Sequence, residues 1–310
     1  RRGAINMLER TDLEKAKLVL KDKLMRLMPK PGDFPLPFGG VCLHRWHTPT
    51  KPTPTVYQPV LIVLAQGRKT VTFGEHIYSV QSGDYFVAGV DIPMASSMHD
   101  TSPENPYLSL TINLDGSLIN QLAAEIPPDG ESYSDHFSGA MLAEMDADLM
   151  DAIVRLVELI ERPEQAKVLG PMVIREIHYR LLTGPFGGQL RIINTYGTPG
   201  NQIARATAWL RENYNKPLLV DEMARQLNMA ASTFHKHFKE VTTLSPLQYQ
   251  KRLRLAEAQR LMLTLGYDAA QAGSAVGYES QSQFNREYKR LYGEPPRKNI
   301  ARMKEIFGVV

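Results

Sequence analysis

Two segments of this chain, 50 residues apart, carry the same pattern of aromatic and basic side chains, and this repeat limits which folds the chain can adopt. In the downstream copy Phe284, Tyr288 and Tyr292 stand four residues apart, so one face of a helix is aromatic and can be buried. The upstream copy matches it at Phe234 with Phe284, Phe238 with Tyr288, Lys236 with Arg286, Lys239 with Lys289 and Pro246 with Pro296. Two copies at a fixed offset predict a duplicated structural unit.

The downstream copy is typical of the second helix of a helix-turn-helix. Ser280 is a good N-cap for it, and a short helical segment precedes a tight turn at Gly277. Its other faces are polar, and Gln, Asn and Arg can make paired hydrogen bonds to base edges. An ordinary amphipathic surface helix would show the same pattern in this segment alone, and the repeat is what favours a DNA-binding unit. We therefore predict that DNA is contacted by Gln281, Ser282, Asn285, Arg286 and Lys289.

The C-terminal third of the chain resembles the DNA-binding domain of AraC-type bacterial transcription regulators. The resemblance rests on Val-Gly-Tyr at 276–278, Ser-Gln-Phe-Asn-Arg at 282–286, Tyr-Lys-Arg at 288–290 and Tyr-Gly-Glu-Pro at 292–295. It implies two helix-turn-helix units joined by a long helix. The base-reading positions of the family fall on Ser232, His235 and Lys236, and Lys239 points outward beside them; the alternative is that these side chains only solvate a helix face. On the linking helix we expect phosphate contacts from Lys251, Arg252 and Arg254.

Four positions depart from the family pattern. Leu219 and Ala230 stand where the family usually has Ser or Thr as helix caps, and Thr243 stands where it usually has Gly. Gly273 stands where the family usually has Ala. Because Gly within a helix costs roughly 0.5–1 kcal/mol relative to Ala, we expect the first helix of the second unit to be soft.

Charge is unevenly distributed along the chain. Residues 196–310 hold 17 Lys and Arg against 10 Asp and Glu, a net charge of +7, whereas the other residues hold 19 against 23, a net charge of −4. A basic domain beside a mildly acidic one fits a DNA-binding module with a separate regulatory module. The Gly- and Pro-bearing segment 195–201 indicates a domain boundary between residues 195 and 196. No apolar run is long enough to span a membrane, and we expect a cytoplasmic protein.

Residues 1–195 predict a domain that combines strands with helices. Short runs rich in Val, Ile, Tyr and Phe between residues 41 and 114, with predicted hairpin turns at 73–75 and 81–84, predict a cupin-like β-barrel or double-sheet jelly roll. AraC-type regulators often carry such a barrel here. Helices are predicted over 8–28, 118–124, 147–161 and 166–182, with a Pro- and Gly-rich break over 29–40. The predicted fold class is α+β with two domains: this barrel with flanking helices, then an all-α domain with two helix-turn-helix units.

The apolar stripes on the helices over 147–161 and 166–182 allow two interpretations. They either pack onto the barrel or, as in many AraC-type sensor domains, form a dimer interface. The segment 181–190 resembles a subgroup of the family with its own type of N-terminal domain, and some members of that subgroup respond to reactive aldehydes.

Candidate ligand residues in the N-terminal domain are few. Trp46, Tyr57 and Tyr85 are predicted to line an effector pocket inside the barrel, although each suits a core position equally well. Cys42, the single cysteine, is either a small apolar residue or a sensor thiol. We predict no metal and no cofactor, because the histidines lack the close pair of cupin enzymes; they are scattered at His44, His47, His76 and His99.

These patterns predict a sequence-specific DNA-binding transcriptional regulator, controlled by a small-molecule effector or signal that the N-terminal domain senses. The expected partners are double-stranded DNA, the effector, a second copy of the chain bound through the N-terminal domain, and RNA polymerase. The alternative is a cupin-type metal-dependent enzyme fused to a DNA-binding domain, and the missing metal-ligand spacing argues against it. A fused DNA-repair methyl-acceptor would need a cysteine-rich zinc site, which one cysteine cannot supply. A DNA-binding protein without an effector stays open.

Overall fold

The computed structural model describes residues 2–36, 40–126 and 138–307, and the side chains from residue 12 to residue 306 within those ranges. Residues 37–39, part of the predicted Pro- and Gly-rich break, lie outside the described residues.

The described strands form two antiparallel sheets. The strands are β1 (Gly32–Pro35), β2 (Val41–Trp46), β3 (Thr53–Tyr57), β4 (Val60–Gln66), β5 (Arg68–Phe73), β6 (His76–Gln81), β7 (Asp84–Ala88), β8 (Ile92–His99), β9 (Tyr107–Asn113) and β10 (Ala140–Glu144). One sheet has the order β1-β2-β9-β4-β7-β10 and the other the order β3-β8-β5-β6. Gly74 and Gly83 take positive φ in the turns before β6 and β7. The first turn closes the predicted hairpin of β5 and β6. The second is not a hairpin turn as predicted, because β6 and β7 belong to different sheets.

Both faces of the larger sheet are covered, and this explains its sequence. Every residue of β4 is buried, so the strand is apolar from Val60 to Ala65 instead of alternating. On β7 the side chains alternate in direction. Phe86 joins the core between the sheets, whereas Tyr85 and Val87 join the core between the larger sheet and the helices.

Five helices accompany this sandwich: α1 (Arg2–Leu27), α2 (Gly116–Glu125), α3 (Ala147–Glu158), α4 (Pro163–Thr183) and α5 (Gly187–Asn194). The helix predicted over 147–161 ends at Glu158 and continues as a short 3-10 turn over 159–161. Pro163 occupies the first turn of α4, where its missing N–H is no loss, so α4 begins earlier than predicted. The sequence did not indicate β1, β10 or α5. Both strands lie at sheet edges with one partner each, and α5 is short and begins with two glycines.

The C-terminal part is helical throughout, as predicted. It comprises α6 (Pro199–Glu212), α7 (Val220–Gln226), α8 (Ala231–Thr242), α9 (Pro246–Thr264), α10 (Ala269–Ala275), α11 (Gln281–Tyr292) and α12 (Pro296–Phe307). The segment predicted as a joint is a tight turn. Thr198 caps α6 by accepting a hydrogen bond from the Asn201 N–H at 3.1 Å, and Asn201 Nδ2 donates to Ile193 O at 3.0 Å. Helices α5 and α6 are thereby held together.

The first helix-turn-helix region packs directly on the sandwich. The Tyr249 hydroxyl on α9 donates to Asp91 O at 2.6 Å, and Arg211 Nε on α6 lies 3.3 Å from Asp91 Oδ1. Beyond these contacts, the Gly139 N–H donates to Val241 O at the end of α8, at 3.2 Å. The core between the two sheets therefore continues into this region, where Phe234, Phe238 and Tyr249 are fully buried.

Candidate nucleic-acid interface and effector pocket

The second helix-turn-helix consists of α10, a tight turn and α11. Asp268 and Gln271 form a capping box at the start of α10, and the Ser280 hydroxyl caps α11 by accepting from the Gln283 N–H at 3.3 Å. Gly277 takes φ +90°, and a Cβ there would lie 2.7 Å from Asn215 O. Only Gly fits this turn, because both the backbone conformation and the close approach exclude a side chain.

Helix α11 is fixed by hydrogen bonds under its aromatic face. The Tyr288 hydroxyl and Gln259 Nε2 both donate to Asn299 Oδ1, each at 2.8 Å. Asn299 Nδ2 in turn donates to Glu294 Oε1 at 3.1 Å, and Arg302 Nε donates to the same oxygen at 2.7 Å. This network ties α11 to α9 and α12. It was not predicted, since Asn299 and Arg302 belong to no motif that the sequence displays.

The outer face of α11 carries every residue predicted for it. All five are exposed: Gln281, Ser282, Asn285, Arg286 and Lys289. Gln281 Nε2 donates to Asn285 Oδ1 at 3.3 Å. Within the described part of the chain, Arg286 has neither a hydrogen bond nor an ion pair, so its planar fork is available to another molecule.

The first unit presents a comparable face on α8. Phe234 and Phe238 are buried, and the predicted residues on the other side are all exposed: Ser232, His235, Lys236 and Lys239. Lys236 Nζ lies 3.9 Å from Glu240 Oε1, a loose surface pair. Ala230 provides no side-chain cap, as its departure from the family pattern implied.

The two units are not related by one fixed offset. The Met229 N–H donates to Ala224 O at the end of the first helix of the first unit, and the Tyr278 N–H donates to Gly273 O at the same place in the second unit. The first helices of the two units are therefore equivalent with a sequence offset of 49 residues. The second helices begin at Ala231 and Gln281 and correspond at 50. The turn of the second unit is therefore one residue longer, which corrects the single offset that the sequence indicated.

The three basic residues of the linking helix α9 differ in exposure and in their contacts. Lys251 is exposed and pairs with Glu287 at 2.8 Å. Arg252 is half-buried, and burial, followed by the neighbouring Arg290, lowers the pKa of its guanidinium.

The expected phosphate contact of Arg254 is not what the structure presents. Its guanidinium donates to Tyr214 O at 2.7 Å, to Gly277 O at 3.0 Å and to Lys216 O at 3.3 Å. Arg254 therefore joins the end of α6 to the turn of the second unit, because these main-chain oxygens face it across the helix packing. These bonds hold the two elements together.

The three predicted effector residues do not lie in the same core. Trp46 and Tyr57 border the core between the sheets. Tyr85 lies on the opposite side and packs edge-on against Phe186, with ring centroids 6.0 Å apart. Burial, followed by Asp146, raises the pKa of Tyr85 to about 12. Tyr85 is thus a core residue under the helices, because alternation along β7 directs it away from the sandwich interior.

Polar side chains that the sequence did not single out accompany Trp46 and Tyr57. Asp33 Oδ1 lies 2.7 Å from His44 Nδ1 and accepts from Trp46 Nε1 at 3.3 Å. Burial is the largest single influence and lowers the pKa of His44, but Asp33 and Cys42 together outweigh it and give a net rise. Nearby, Lys69 Nζ lies 5.2 Å from the centre of the Tyr57 ring. Burial is the largest single influence and lowers the pKa of this ammonium, but Tyr57, Tyr107 and Asp33 together outweigh it, so the amine stays protonated.

The described residues contain no group of three His, Cys, Asp or Glu side chains that could hold a metal ion. None of the helices described is both long and apolar enough to cross a bilayer.

Two helix-turn-helix units with exposed polar recognition faces, joined to a β-sandwich, define a two-domain DNA-binding regulator of transcription. Residues 37–189 match the family model for the AraC-type transcriptional regulator N-terminus, and residues 223–302 match the model for a helix-turn-helix domain. The two matches together cover most of the chain, and the resemblance to AraC-type transcriptional regulators seen in its sequence is confirmed.

Several regulators are similar over most of their length. The lactose operon transcription activator of Staphylococcus xylosus is 23% identical over 248 residues, which span 77% of this chain and 82% of that protein. The virulence regulon transcriptional activator VirF of Yersinia enterocolitica is 24% identical over 272 residues, 84% of this chain and 95% of VirF. The crystal structure of ToxT from Vibrio cholerae with a bound unsaturated fatty acid is 10% identical, covers 87% of this chain and 96% of ToxT, and superposes with a TM-score of 0.57. That similarity shows a shared fold.

Proposed function

We propose that α8 and α11 are the recognition helices of this regulator and that they enter successive major grooves on one face of the DNA. The observation that carries the proposal is the exposed, unpaired Arg286 on a helix whose opposite face is fixed by buried hydrogen bonds. An Arg fork can pair with O6 and N7 of one guanine, which Lys cannot reproduce as a two-point contact. Lys236 is the corresponding residue of the first unit, so that unit discriminates less sharply.

The test compares Arg286→Ala with the unchanged chain on the operator and on scrambled DNA. We expect a loss of about 1–3 kcal/mol on the operator and little loss on the scrambled sequence. Arg286→Lys keeps the charge and should lose most of the discrimination. Lys15→Ala, an exposed charge on α1, is the matched control. Equal losses on both DNAs for Arg286→Ala would refute base readout.

The N-terminal domain, in this proposal, takes up a small-molecule effector that alters DNA binding. Two features support it: polar side chains border the core between the sheets, and the first helix-turn-helix packs on the same domain through Tyr249 and Asp91. A protein of the same fold, ToxT, has been crystallised with a fatty acid. A shift in operator affinity on adding the effector tests this point, and an unchanged affinity with the effector bound would sink it.

We also propose that the chain works as a homodimer through α4. Its Val173, Ile177 and Leu181 are buried in the core that the helices share with the larger sheet, while Val168 and Met172 on the other side are 61% and 62% exposed. The two interpretations of the apolar stripes thus apply to different faces of one helix. Sedimentation of Met172→Glu decides the matter: we expect monomers, and an unchanged mass would contradict the interface.

The regulator acts in the cytoplasm, where its DNA lies, and RNA polymerase is the further partner we propose. We infer that the chain is not an enzyme, in line with its relatives, which are transcription regulators. Stoichiometric metal in the purified protein, together with turnover of an added substrate, would reopen the fused-enzyme alternative.

A further inference from the structure

The interior between the two sheets is divided into an apolar part and a polar part. Val71 and Phe73 on β5 face the apolar part and are fully buried. Lys69, two residues before Val71, faces the same interior at the polar end, because side chains on a strand alternate. The other polar and aromatic groups at this end are Asp33, His44, Trp46, Tyr57, Tyr107 and Ser109.

Lys69 is a half-buried ammonium without a counter-ion among the described residues. Its contacts are the face and hydroxyl of Tyr57, and Tyr107 lies nearby. Asp33 is the carboxylate whose charge reaches it, but Asp33 Oδ1 is already engaged by His44 and Trp46. Tyr57 in turn donates its proton to Ser96 Oγ at 3.1 Å, which leaves the phenolic oxygen to accept from Lys69.

Solvent reaches this end of the sandwich. The Asp33 side chain is 56% exposed and that of His44 is 22% exposed, whereas the apolar end is closed by residues such as Phe73 and Phe86. The polar groups therefore lie at the solvent-accessible end of the sandwich, next to its apolar core.

We propose that this end of the sandwich binds an organic carboxylate, with the carboxylate on Lys69 and the apolar body of the molecule against Trp46 and Tyr57. The proposal deepens the proposed function, since it names the chemical class of the effector. A charge withdrawn from water is stable only when it is paired, and the ligand supplies the missing partner. Phosphate groups are usually met by Arg forks or several cations. One ammonium flanked by neutral hydroxyls, with Asp33 close by, matches a single negative charge instead.

Fluorescence of the full-length chain carrying Trp209→Phe tests binding directly. The chain has two tryptophans, so this variant leaves Trp46 as the reporter inside the site. The probes are hexanoate and 4-phenylbutyrate, each titrated beside its primary amide, which has nearly the same shape and no charge. We expect saturable changes with the acids and about ten- to hundredfold weaker binding of the amides.

Variants at Lys69 identify the group responsible. Lys69→Met should weaken the acids by about ten- to hundredfold and leave the amides unchanged, and Lys69→Arg should restore most of the affinity. Arg68→Gln is the matched control, because Arg68 is exposed and pairs with Asp100 outside the sandwich. Circular dichroism and operator binding establish that each variant is folded, and Lys69→Arg still tests the charge if Lys69→Met does not fold.

The outcomes separate this inference from the proposed function. Acids and amides that bind alike, or acids whose affinity survives Lys69→Met, overturn the carboxylate site. A Trp46 signal that no probe changes overturns it as well. Lys69-dependent binding of the acids without any change in operator affinity supports the site and contradicts effector control.

Discussion

At the residue scale, Arg254 shows how a basic side chain in a DNA-binding domain can serve the fold. Its three acceptors are main-chain oxygens at Tyr214, Lys216 and Gly277. They lie 40, 38 and 23 residues from it along the chain, so no local pattern could indicate them. The charge of Arg254 could be predicted from the sequence, but its hydrogen-bond partners could not.

Replacing Arg254 should therefore affect stability first and DNA binding second. Arg254→Met leaves carbonyl oxygens without their donor, and we expect a loss of about 1–3 kcal/mol in the free energy of unfolding, measured in urea. Operator affinity should fall because the two units are no longer held in register, while the slope of affinity against salt stays unchanged.

Lys251→Met, one turn earlier on the same helix, is the control for that variant. Its surface pair with Glu287 contributes little to stability. If Arg254→Met had normal stability and a slope of affinity against salt reduced by about one, Arg254 would be a phosphate contact after all.

His44 should make the N-terminal domain sensitive to pH. Its pKa is raised above the ordinary 6.5 by Asp33 against the opposing effect of burial, with Cys42 and the Thr111 hydroxyl as its other neighbours. A raised folded-state pKa stabilises the folded form fully below pH 6.5, and that contribution is lost as pH rises through the raised value. The difference in unfolding free energy between the unchanged chain and His44→Gln should shrink from pH 6 to pH 8.5. A trend of opposite sign for His44 would contradict the pairing.

At the element scale, Gly273 reverses an expectation drawn from helix propensity. A Cβ at this position would lie 3.0 Å from Cγ and 3.2 Å from Cδ1 of Phe284, a fully buried ring. The glycine therefore lets α10 approach α11 closely, and softness is not its main consequence.

Gly273→Ala should accordingly fail to stabilise the second unit. The gain of about 0.5–1 kcal/mol in helix propensity is outweighed by an overpacking cost of about 1–3 kcal/mol, so we expect a net loss of about 1 kcal/mol in urea unfolding. Ala224→Gly, at the corresponding position of the first unit, is the reciprocal variant and should also destabilise. Stabilisation by Gly273→Ala would mean that the Phe284 ring can move aside.

Elements with strong periodicity were predictable, and those defined by their partners were not. Phe284 and Tyr288 identified α11, since their spacing alone places them on one face. The edge strand β10 exists because it pairs with β7 across a long stretch of chain, and its sequence, Ala-Met-Leu-Ala-Glu, favours a helix at least as well. Tyr85 was assigned to the wrong side of its sheet because β7 is buried on both faces from Tyr85 to Ala88, and its sequence gives no sign of which face meets the helices.

At the scale of the whole molecule, the contact between the sandwich and the first helix-turn-helix unit affects the stability of the DNA-binding domain when it is isolated. We expect a fragment of residues 198–310 to bind the operator, with an affinity that falls steeply between about 50 and 200 mM salt as counterions are released. It should also unfold at a lower temperature than the same region of the intact chain, because Tyr249 loses its hydrogen bond to Asp91 and its cover. Anisotropy and calorimetry measure the two effects. A fragment that ignores salt, or fails on the operator, would contradict an independent DNA-binding domain.

The extra residue in the turn of the second unit makes the two recognition halves of one chain unlike, and this difference gives the DNA site a direction. In an inverted operator, each helix-turn-helix unit would face the sequence that the other unit recognises. Inverting the operator should therefore abolish recognition even though every base is retained. Two copies of the chain related by a twofold axis would face opposite ways along the duplex. If the two binding sites repeat head to tail, one DNA-binding domain must rotate relative to its own sandwich. The hydrogen bond between Tyr249 and Asp91 is among the contacts that must break for this rotation.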